Sequence, residues 1–512
     1  MANAAPPFVP TLKGGALWLA ALLLALGNFM VVLDMTIANV SVPTIAGGLA
    51  VSPSQGTWVI TSYSVAEAIT VPLTGWLAAR FGAVKVFLFG LIGFGVCSAL
   101  CGLAPSLGML VLFRVMQGLC GGPIMPMSQT LMMTIFPPQQ RGQAMGIWSM
   151  TTVVAPILGP ILGGTLCDTV GWEWIFYINV PVAAAVAFFA SRVLAGVETP
   201  ISRRPVDYIG LLLLIAFVGS MQIMLDKGKE LEWFASPVIV GLAVMAVIGF
   251  LSFLIWELTA ADPIVDLRVF RHRGFTSAVI TISLTFGAFF SSIVLIPLWL
   301  QTNMGYTATQ AGLVTGWGGV LAVVMSPIVP RLVGKIDHRA LVTFGVLWLA
   351  CVTLARSQFT TTMGSWSIAL TFLAQGFAMP FFFIPTNQIA LSSVEPHETA
   401  SAAGLSNFLR TTSAAFATSL ITTFWDQRIT RDRSALVDTL NDPQGVVDKL
   451  GGLGLSGGQA TRQIDGLTQG QAVMLATDHM LMITAVVFVI AASVVWLAPK
   501  PPPGMMQGGG GH

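Results

Sequence analysis

The sequence predicts an all-α integral membrane protein that crosses the bilayer fourteen times. Three observations predict this fold class: a scarcity of charge, a series of long apolar runs, and an uneven placement of basic residues. Of the 512 residues, 9% are charged and 55% are hydrophobic, whereas about 25% of residues are charged in a typical soluble domain. So few charges could not cover a water-facing surface, so most of the protein surface must face lipid.

The apolar runs define the candidate transmembrane helices. A helix needs about 20 apolar residues to cross a bilayer, and backbone groups in lipid must be hydrogen-bonded within the helix. We number the fourteen segments of this kind as spans 1 to 14. They lie at 15–39, 54–79, 84–104, 107–133, 141–166, 174–195, 206–226, 236–258, 275–301, 308–333, 340–356, 366–391, 399–425 and 478–498. Span 1 is longer than a signal-peptide core and no cleavage site follows it, so we expect it to be retained.

Basic residues set the predicted orientation. With the N-terminus inside, the short outer loops hold only Lys227, Lys229 and Arg356. The inner segments hold Lys13, Arg80, Lys85, Arg141, Arg192, Arg203, Arg204, Arg268, Arg271, Arg273, Arg331, Lys335, Arg339 and Lys500. Because Lys and Arg concentrate on the cytoplasmic side of membrane proteins, both termini are predicted to be cytoplasmic.

A weak internal repeat predicts two related halves. Pro72 and Arg80 correspond to Pro327 and Lys335 at an offset of 255, and Gln55 corresponds to Gln310 at the same offset. Spans 1–6 thus match spans 9–14, and spans 7 and 8 form an extra pair between them. Two parallel six-helix halves with a site between them are typical of transporters. The predicted units are a cytoplasmic N-terminus (1–14), an N-terminal half (15–195), the inserted pair (196–260), a C-terminal half (261–498) with a periplasmic loop at 428–475, and a flexible cytoplasmic tail (499–512).

Several classes of function are not supported by the sequence. The sequence contains no catalytic constellation, so an enzyme is not expected. No metal site or cofactor is expected either. The five cysteines lie mostly in apolar runs without a CxxC pair, and the five histidines are scattered along the chain. No basic patch with interleaved aromatics indicates nucleic-acid binding. Residues 455–459 (LSGGQ) copy a signature of ATP-binding cassette proteins, but the chain has no phosphate loop. Ser456 and Gln459 are instead spaced as a capping box that begins a helix.

Several motifs resemble those of the major facilitator superfamily, and within it the fourteen-span drug:proton antiporters. The resemblance covers nearly the whole chain, and the matching motifs follow. They are 33–40 (LDMTIANV), the gating loop 75–85 (GWLAARFGAVK), 114–118 (RVMQG), the exporter motif 155–164 (APILGPILGG), 172–181 (WEWIFYINVP) and 225–230 (LDKGKE). One departure is that the gating loop has Ala79 where the family usually carries an acid that pairs with an arginine.

The resemblance implies a transporter of the bacterial inner membrane that exports drug-like small molecules and uses a proton gradient instead of a cofactor. It further implies partnership with a periplasmic adaptor, or membrane fusion protein, and an outer-membrane channel, with the 428–475 loop as the adaptor contact; a solvated cap without a partner is the alternative. The gating and packing positions that it marks are Gly75, Arg80, Gly82, Pro156, Gly159, Pro160 and Gly163. For the fifth-span residues among them, plain helix packing is an equal alternative.

Charged side chains within the spans are candidates for proton coupling, because charge in the middle of a membrane is costly and so tends to be functional. Glu67 lies on a polar stripe of span 2 with Tyr63 and is a candidate proton carrier; the alternative is a carboxyl that only bonds a neighbouring helix. Asp34 on span 1 and Arg114 on span 4 are expected to interact, either as a protonation-dependent pair or as a fixed structural one.

A substrate cavity is predicted around aromatic and polar residues of both halves. The candidates are Tyr63, Gln117, Phe286, Phe289, Phe377, Phe381 and Arg410. Aromatic, adaptable cavities suit varied apolar ligands. Arg410 either contacts the substrate or is held by backbone carbonyls. For the aromatic residues in this set, the alternative is that their rings face lipid or the protein core.

Export is the favoured function because of the fifth-span motif and the inserted pair. Proton-coupled uptake or facilitated transport of a small metabolite is the alternative, since a fold alone does not set direction. A membrane enzyme or a channel is the third class. The sequence does not specify the substrate, the number of protons, or which acid carries them.

Overall fold

The computed structural model describes residues 12–202, 205–333, 335–361, 363–439, 443–452 and 456–499. The described residues form helices and connecting turns, with no strand among them. The predicted spans correspond to the following helices. They are Gly15–Gly48 (span 1); Pro53–Gly56, Trp58–Thr70 and Thr74–Phe81 (span 2); Ala83–Gly102 (3); Leu107–Gly121 and Ile124–Ile135 (4); Arg141–Thr169 (5); Trp174–Tyr177 and Asn179–Val193 (6); Tyr208–Lys227 (7); Pro237–Thr259 (8); Arg273–Asn303 (9); Ala308–Met325 and Val329–Val333 (10); His338–Arg356 (11); Ser365–Ser392 (12); Thr399–Asp438 (13); and Gly457–Val494 (14).

All fourteen predicted spans contain helix, but not all qualify as membrane-spanning by length and composition. Within the described residues, ten helices qualify, or eleven if the bent helix of span 5 is counted as one. Spans 2 and 10 are divided near Pro72 and Pro327, because proline lacks the backbone N–H that a continuous helix needs. Span 13 is rich in Ser, Thr and Asn. The structure is therefore consistent with fourteen spans, and that count remains a prediction.

Helix caps reproduce the internal repeat. At the start of span 2, the Ser52 N–H donates to Gln55 Oε1 (3.1 Å) and the Gln55 N–H donates to Ser52 Oγ (3.3 Å). At the start of span 10, Thr307 and Gln310 exchange the same two bonds at 3.0 and 3.2 Å. Each pair satisfies two N–H groups that the first turn of a helix leaves free. The repeated glutamines therefore have the same structural role in both halves.

The predicted periplasmic segment is more helical than a simple loop. Span 13 extends to Asp438, a short helix covers Pro443–Gly452, and span 14 begins at Gly457. The predicted capping box is confirmed, since the Gln459 N–H donates to Ser456 Oγ and the Ser456 N–H donates to Gln459 Oε1. Residues 440–442 and 453–455 of this segment, and the tail from residue 500, lie outside the described residues.

The two halves meet closely at the predicted cytoplasmic end. Gly75 of span 2 lies against Ser401 of span 13, where an added Cβ would come within 2.9 Å of the Ser401 Cα. On Gly404, a Cβ would come within 2.8 Å of the Val71 carbonyl oxygen. Glycine permits this close backbone approach because it has no side chain. Gly75, one of the predicted gating residues, thus lies in the contact between the halves.

A buried amide cluster also joins the halves at this end. Gln129 of span 4 donates from Nε2 to Asn387 Oδ1 (3.2 Å) and accepts from Asn407 Nδ2 (2.6 Å). All three side chains are buried. Buried polar groups are costly unless they are hydrogen-bonded, so this cluster favours the closed arrangement of the cytoplasmic end.

The inserted pair, spans 7 and 8, packs against both halves at the predicted periplasmic end. The Lys227 ammonium contacts Thr57 of the N-terminal half. On the other side, Trp233 Nε1 donates to Thr423 Oγ1 (3.0 Å), and Lys229 pairs with Asp426 at 2.6 Å. The domain boundaries themselves remain a prediction.

A charged cluster lies in the loops at the predicted cytoplasmic end. His272, Glu395 and Glu398 place their ligand atoms within 4.8 Å of one another, a spacing that could hold a metal ion. Arg271 pairs with both carboxylates, at 3.2 and 2.9 Å. Because this guanidinium already supplies positive charge, it opposes the binding of a cation at the same carboxylates.

The same cluster gives a pH prediction for Glu398. Burial raises the pKa of Glu398, but hydrogen bonds from the Glu395 N–H and His272, with the charge of Arg271, outweigh it and leave the pKa below its ordinary value. The ionised carboxylate therefore stabilises the fold above the unfolded-state pKa, and this stabilisation is lost as pH falls through the folded-state pKa. We expect Glu398→Gln to lower the melting temperature at neutral pH. The difference from wild type should vanish in acid; a constant difference at every pH would contradict this assignment.

Candidate functional site

A cavity of about 730 Å³ lies between the two halves. Its wall comes from residues of spans 1 (39–43), 5 (152–168), 9 (286–301), 10 (311–318) and 12 (372–383). Asn39, Asp168 and Gln301 lie near the predicted periplasmic ends of their helices. Since the halves are in close contact at the cytoplasmic end, this arrangement corresponds to a cavity that faces outward.

The cavity wall is mostly apolar, with a few polar groups. Phe286 and Phe289, both predicted from the sequence, line it together with Phe290 and Phe383. Phe286 and Phe383 have their ring centroids 6.1 Å apart. Sites that bind small molecules commonly combine apolar walls with a few polar groups that orient the ligand. Pockets of this size and composition suit an amphipathic small molecule.

Two predicted cavity residues lie elsewhere. Phe377 and Phe381 pack against Phe344 and Trp348 of span 11, with ring centroids 5.2 to 6.3 Å apart. Neither ring is among the residues that line the cavity. Span 12 has aromatic residues on several faces, and only the packing of the helices decides which ring faces the cavity. Phe383, which the sequence did not single out from its neighbours, lines the cavity together with Phe372.

Asp34 and Arg114 form a buried ion pair. Arg114 Nη1 lies 2.6 Å from Asp34 Oδ2, and each side chain is 1% exposed. Arg114 also donates to Gln117 Oε1 (2.9 Å) and to the Val59 carbonyl (3.0 Å). Tyr63, a predicted cavity residue, instead presents its ring to the guanidinium at 4.3 Å, an attractive cation–π geometry.

Asn179 completes the surroundings of Asp34. Its Nδ2 donates to Asp34 Oδ1 (2.7 Å), and Gln117 Nε2 lies 3.3 Å from the same oxygen. Asn179 also donates to Ser98 Oγ (3.1 Å). The motif at 172–181 was matched from the sequence, but its asparagine was not selected as a site residue. The signal that could have indicated it is an uncharged hydrogen-bond donor within a membrane span. Asp34 is therefore fully hydrogen-bonded, whereas Tyr63 and Gln117 serve this network and do not line the cavity.

Glu67 has different surroundings from Asp34. It is buried but more exposed than Asp34, at 9% against 2%. Within the described part of the chain, no residue donates a hydrogen bond to its carboxyl group or pairs with it. Of the two predicted proton-coupling acids, Glu67 is therefore the one whose carboxyl group has no hydrogen-bond or ion-pair partner among the described residues.

Arg410 lies behind the aromatic wall of the cavity. Its Cζ is 4.8 Å from the Phe286 ring centroid and 5.3 Å from that of Phe383, and it is 2% exposed. Nη2 contacts Met125 Sδ at 2.7 Å. Nε and Nη1 have no hydrogen-bond partner among the described residues. Backbone carbonyls therefore do not hold this guanidinium, and it is separated from the cavity by the two rings.

The exporter motif of span 5 packs against span 1. An added Cβ on Gly159 would come within 3.1 Å of the Thr36 carbonyl carbon, and one on Gly163 within 3.2 Å of the Ile37 carbonyl oxygen. Pro156 lines the cavity, and the helix bends by 47° between Pro156 and Ile161. The side chain of Pro160 lies outside the described residues. Small residues and a bend thus bring span 5 close to span 1 beside the cavity.

The predicted gating loop is contacted by an acid from elsewhere in the chain. Glu198 accepts from the N–H groups of Val84 (3.0 Å) and Lys85 (3.2 Å), which begin span 3. Gly82 has a φ of 92°, a conformation that favours glycine, and an added Cβ there would collide with the Glu198 carboxylate. Arg80 lies over the Trp76 ring at 5.5 Å. The loop lacks an acid at Ala79, yet Glu198 places a carboxylate beside it.

Comparison with known proteins identifies the family. The model of the Major Facilitator Superfamily matches residues 24–418. The chain belongs to this superfamily. It is 44% identical over 505 residues, or 98% of each chain, to the multidrug export protein EmrB of Escherichia coli strain K12. It is 42% identical over 507 residues to the fatty acid resistance protein FarB of Neisseria gonorrhoeae, covering 98% of this chain and 99% of that one.

Solved structures share the fold at low sequence identity. A double-tryptophan variant of XylE matches with a TM-score of 0.58 and 14% identity over 95% of this chain and 97% of that one. The human organic anion transporter MFSD10 matches with the same score and identity over 94% of this chain and all of the other. Together with the long apolar helices, the family membership makes this chain a multi-pass transporter of the bacterial inner membrane.

Proposed function

We propose that this protein is a proton-coupled antiporter that exports amphipathic and hydrophobic drugs across the inner membrane as part of a three-component efflux system. Its high identity to EmrB, named as a multidrug export protein, supports drug export. The single observation that carries the proposal is the mostly apolar cavity between the halves.

Glu67 and Asp34 have separate roles in this proposal. Asp34 is neutralised by Arg114 and hydrogen-bonded by Asn179, so the pair holds spans 1, 4 and 6 together. Glu67 has no such partner and is the carrier that takes up a proton from the periplasm and releases it to the cytoplasm. Buried charge pairs are strongly destabilised when one partner is removed, which suits a structural role for Asp34.

A tryptophan at Gly312 is expected to stop export by filling the cavity. Gly312 lines the cavity, and an added Cβ there would meet no atom within 4 Å, so an indole can extend into the open space. We expect Gly312→Trp to fold normally and to lose drug binding and export. Gly241→Trp is the matched control, because Gly241 also has open space around it but lies on the exposed face of span 8. Equal export by wild type and Gly312→Trp would show that the drug passes elsewhere.

The direction of transport distinguishes export from nutrient uptake. In inverted membrane vesicles with an acidic interior, an exporter coupled to protons accumulates a fluorescent amphipathic drug inside. The expected result is accumulation that collapses when a protonophore removes the gradient. Accumulation only in right-side-out vesicles with an acidic exterior would instead indicate proton-coupled uptake.

The three-component arrangement is supported by the resemblance of the chain and by its long periplasmic segment. Spans 13 and 14 extend well beyond a length of about 20 residues, and in this proposal the extra length forms a helical surface outside the membrane. Drug resistance should be measured in a pump-deficient host with and without a co-expressed adaptor. We expect full resistance only with the adaptor, and adaptor-independent resistance would contradict this part of the proposal.

A further inference from the structure

Glu67 and Arg410 lie on opposite halves, at nearly the same depth. Gly404 of span 13 contacts Val71 of span 2 in the tight cytoplasmic contact. Arg410 lies six residues outward from Gly404, and Glu67 lies four residues outward from Val71. At 1.5 Å per residue, these steps are about 9 and about 6 Å. Both residues therefore lie outward of the Gly404–Val71 contact between the halves, by one to two helical turns.

Span 4 provides an independent measure of this proximity. An added Cβ on Gly122 would come within 3.0 Å of the Glu67 carbonyl oxygen, and Met125 contacts Arg410. Gly122 lies at the break between the two helices of span 4, and Met125 lies three residues further along the chain, in the first turn of the second helix. The two side chains are also within electrostatic reach of each other.

The other charged groups near Glu67 are already engaged. Asp34 and Arg114 bond to each other and to amide groups, as described above. On span 7, Asp226 accepts from Gln222, and Lys227 bonds Glu230. Tyr63, on the same helix as Glu67, faces Arg114. Arg410 is the neighbouring cation that keeps two donor nitrogens without a partner among the described residues.

We propose that Arg410 is the counter-charge of Glu67, and that their ion pair locks the cytoplasmic contact between the halves until Glu67 is protonated. The inference rests on the proposed function. The structure records no ion pair between the two side chains, which corresponds to Glu67 in its protonated form. Once ionised, Glu67 pairs with the free nitrogens of Arg410 and ties span 2 to span 13 outward of Gly404. A proton from the periplasm neutralises Glu67, the pair breaks, and the halves can separate at the cytoplasmic side. The empty transporter thus returns to its inward-facing form only with a proton, as antiport requires.

The lock is tested by measuring the distance between the halves at the cytoplasmic end. Spin labels are placed on Gln139→Cys and Ile336→Cys, both exposed in loops of opposite halves, in an active variant whose five native cysteines are replaced. In wild type, acidification should increase the separated population. Glu67→Gln and Arg410→Gln should each increase that population roughly fivefold or more at alkaline pH and remove its pH dependence. The double variant should shift no further than either single one.

Arg356→Gln is the matched control, because Arg356 is also buried with two unpartnered nitrogens but no recorded interaction with an acid. It should keep the wild-type pH response, and Arg410→Lys should keep it in part. A wild-type response in Arg410→Gln, or no pH response in wild type, would overturn the lock. Drug transport measured on the same samples separates the two ideas. If wild type exports drug but the Glu67 and Arg410 variants keep its pH-dependent label separation, only the lock is refuted. If the variants change the label separation as expected but wild type exports no drug, only the proposed function is refuted.

Discussion

Replacing Glu67 with glutamine is expected to abolish proton-driven drug accumulation without destabilising the protein. Glutamine keeps the size of the side chain but cannot exchange a proton. The structure records no hydrogen bond or ion pair to the Glu67 carboxyl group, so the substitution removes none that is present in this form. We expect accumulation against a gradient to fall to the level of empty vesicles, while the melting temperature stays within a few degrees of wild type. Drug flux in proteoliposomes, with and without an imposed pH gradient, measures the first effect.

Glu257→Gln is the matched control for this substitution. Glu257 is also a buried glutamate, at 0% exposed, but it lies on span 8 and accepts from the Val265 N–H away from the cavity. It should retain export at near the wild-type rate. Full coupled export by Glu67→Gln would remove Glu67 as the carrier, and loss of export in both variants would indicate a general effect of removing buried acids.

Replacing Asp34 with asparagine is expected to destabilise the protein by about 3–5 kcal/mol, because it leaves the buried charge of Arg114 without a counter-ion. Arg114→Gln should have a similar cost. The double variant should be more stable than the sum of the two single effects predicts, since neither charge then remains unpaired. Thermal unfolding in detergent and the yield of folded protein measure these effects.

Asp168→Asn is the control for Asp34, because Asp168 lines the cavity and forms no ion pair that the structure records. It should leave the melting temperature nearly unchanged. The transport assay then tests the role of the pair. If the double variant folds and exports drug with protons, the Asp34–Arg114 pair is structural, whereas loss of coupling in a well-folded double variant would give it a part in proton transfer.

The fold class was predictable because it depends on the scarcity of charged residues and on the length of each apolar run, and both can be read directly from the sequence. The sequence could place helices in spans 2 and 10, and Pro72 and Pro327 explain why both are broken. It did not predict how far spans 13 and 14 continue outside the membrane, since a polar helix there lacks a hydrophobic signal. The capping box at Ser456 was predictable, because its two hydrogen bonds depend on neighbours in sequence.

The site was only partly predictable, because many of its contacts join residues that are far apart in the sequence. The pairing of Asp34 with Arg114 followed from the cost of two isolated charges. The contacts of Asn179 and Glu198 depend on helices brought together from distant parts of the chain, and the orientation of Phe383 rather than Phe377 depends on helix rotation. Periodicity within one helix does not determine these tertiary contacts.

Uphill movement of drug by the purified protein, with each ion gradient imposed separately, tests the coupling most directly. In proteoliposomes with no other component, a pH gradient should drive accumulation of an amphipathic drug and a matching counter-flow of protons in wild type, and neither in Glu67→Gln. Gradients of sodium or potassium alone should drive nothing. Accumulation against a concentration gradient in the absence of any ion gradient would contradict proton-coupled export by this protein.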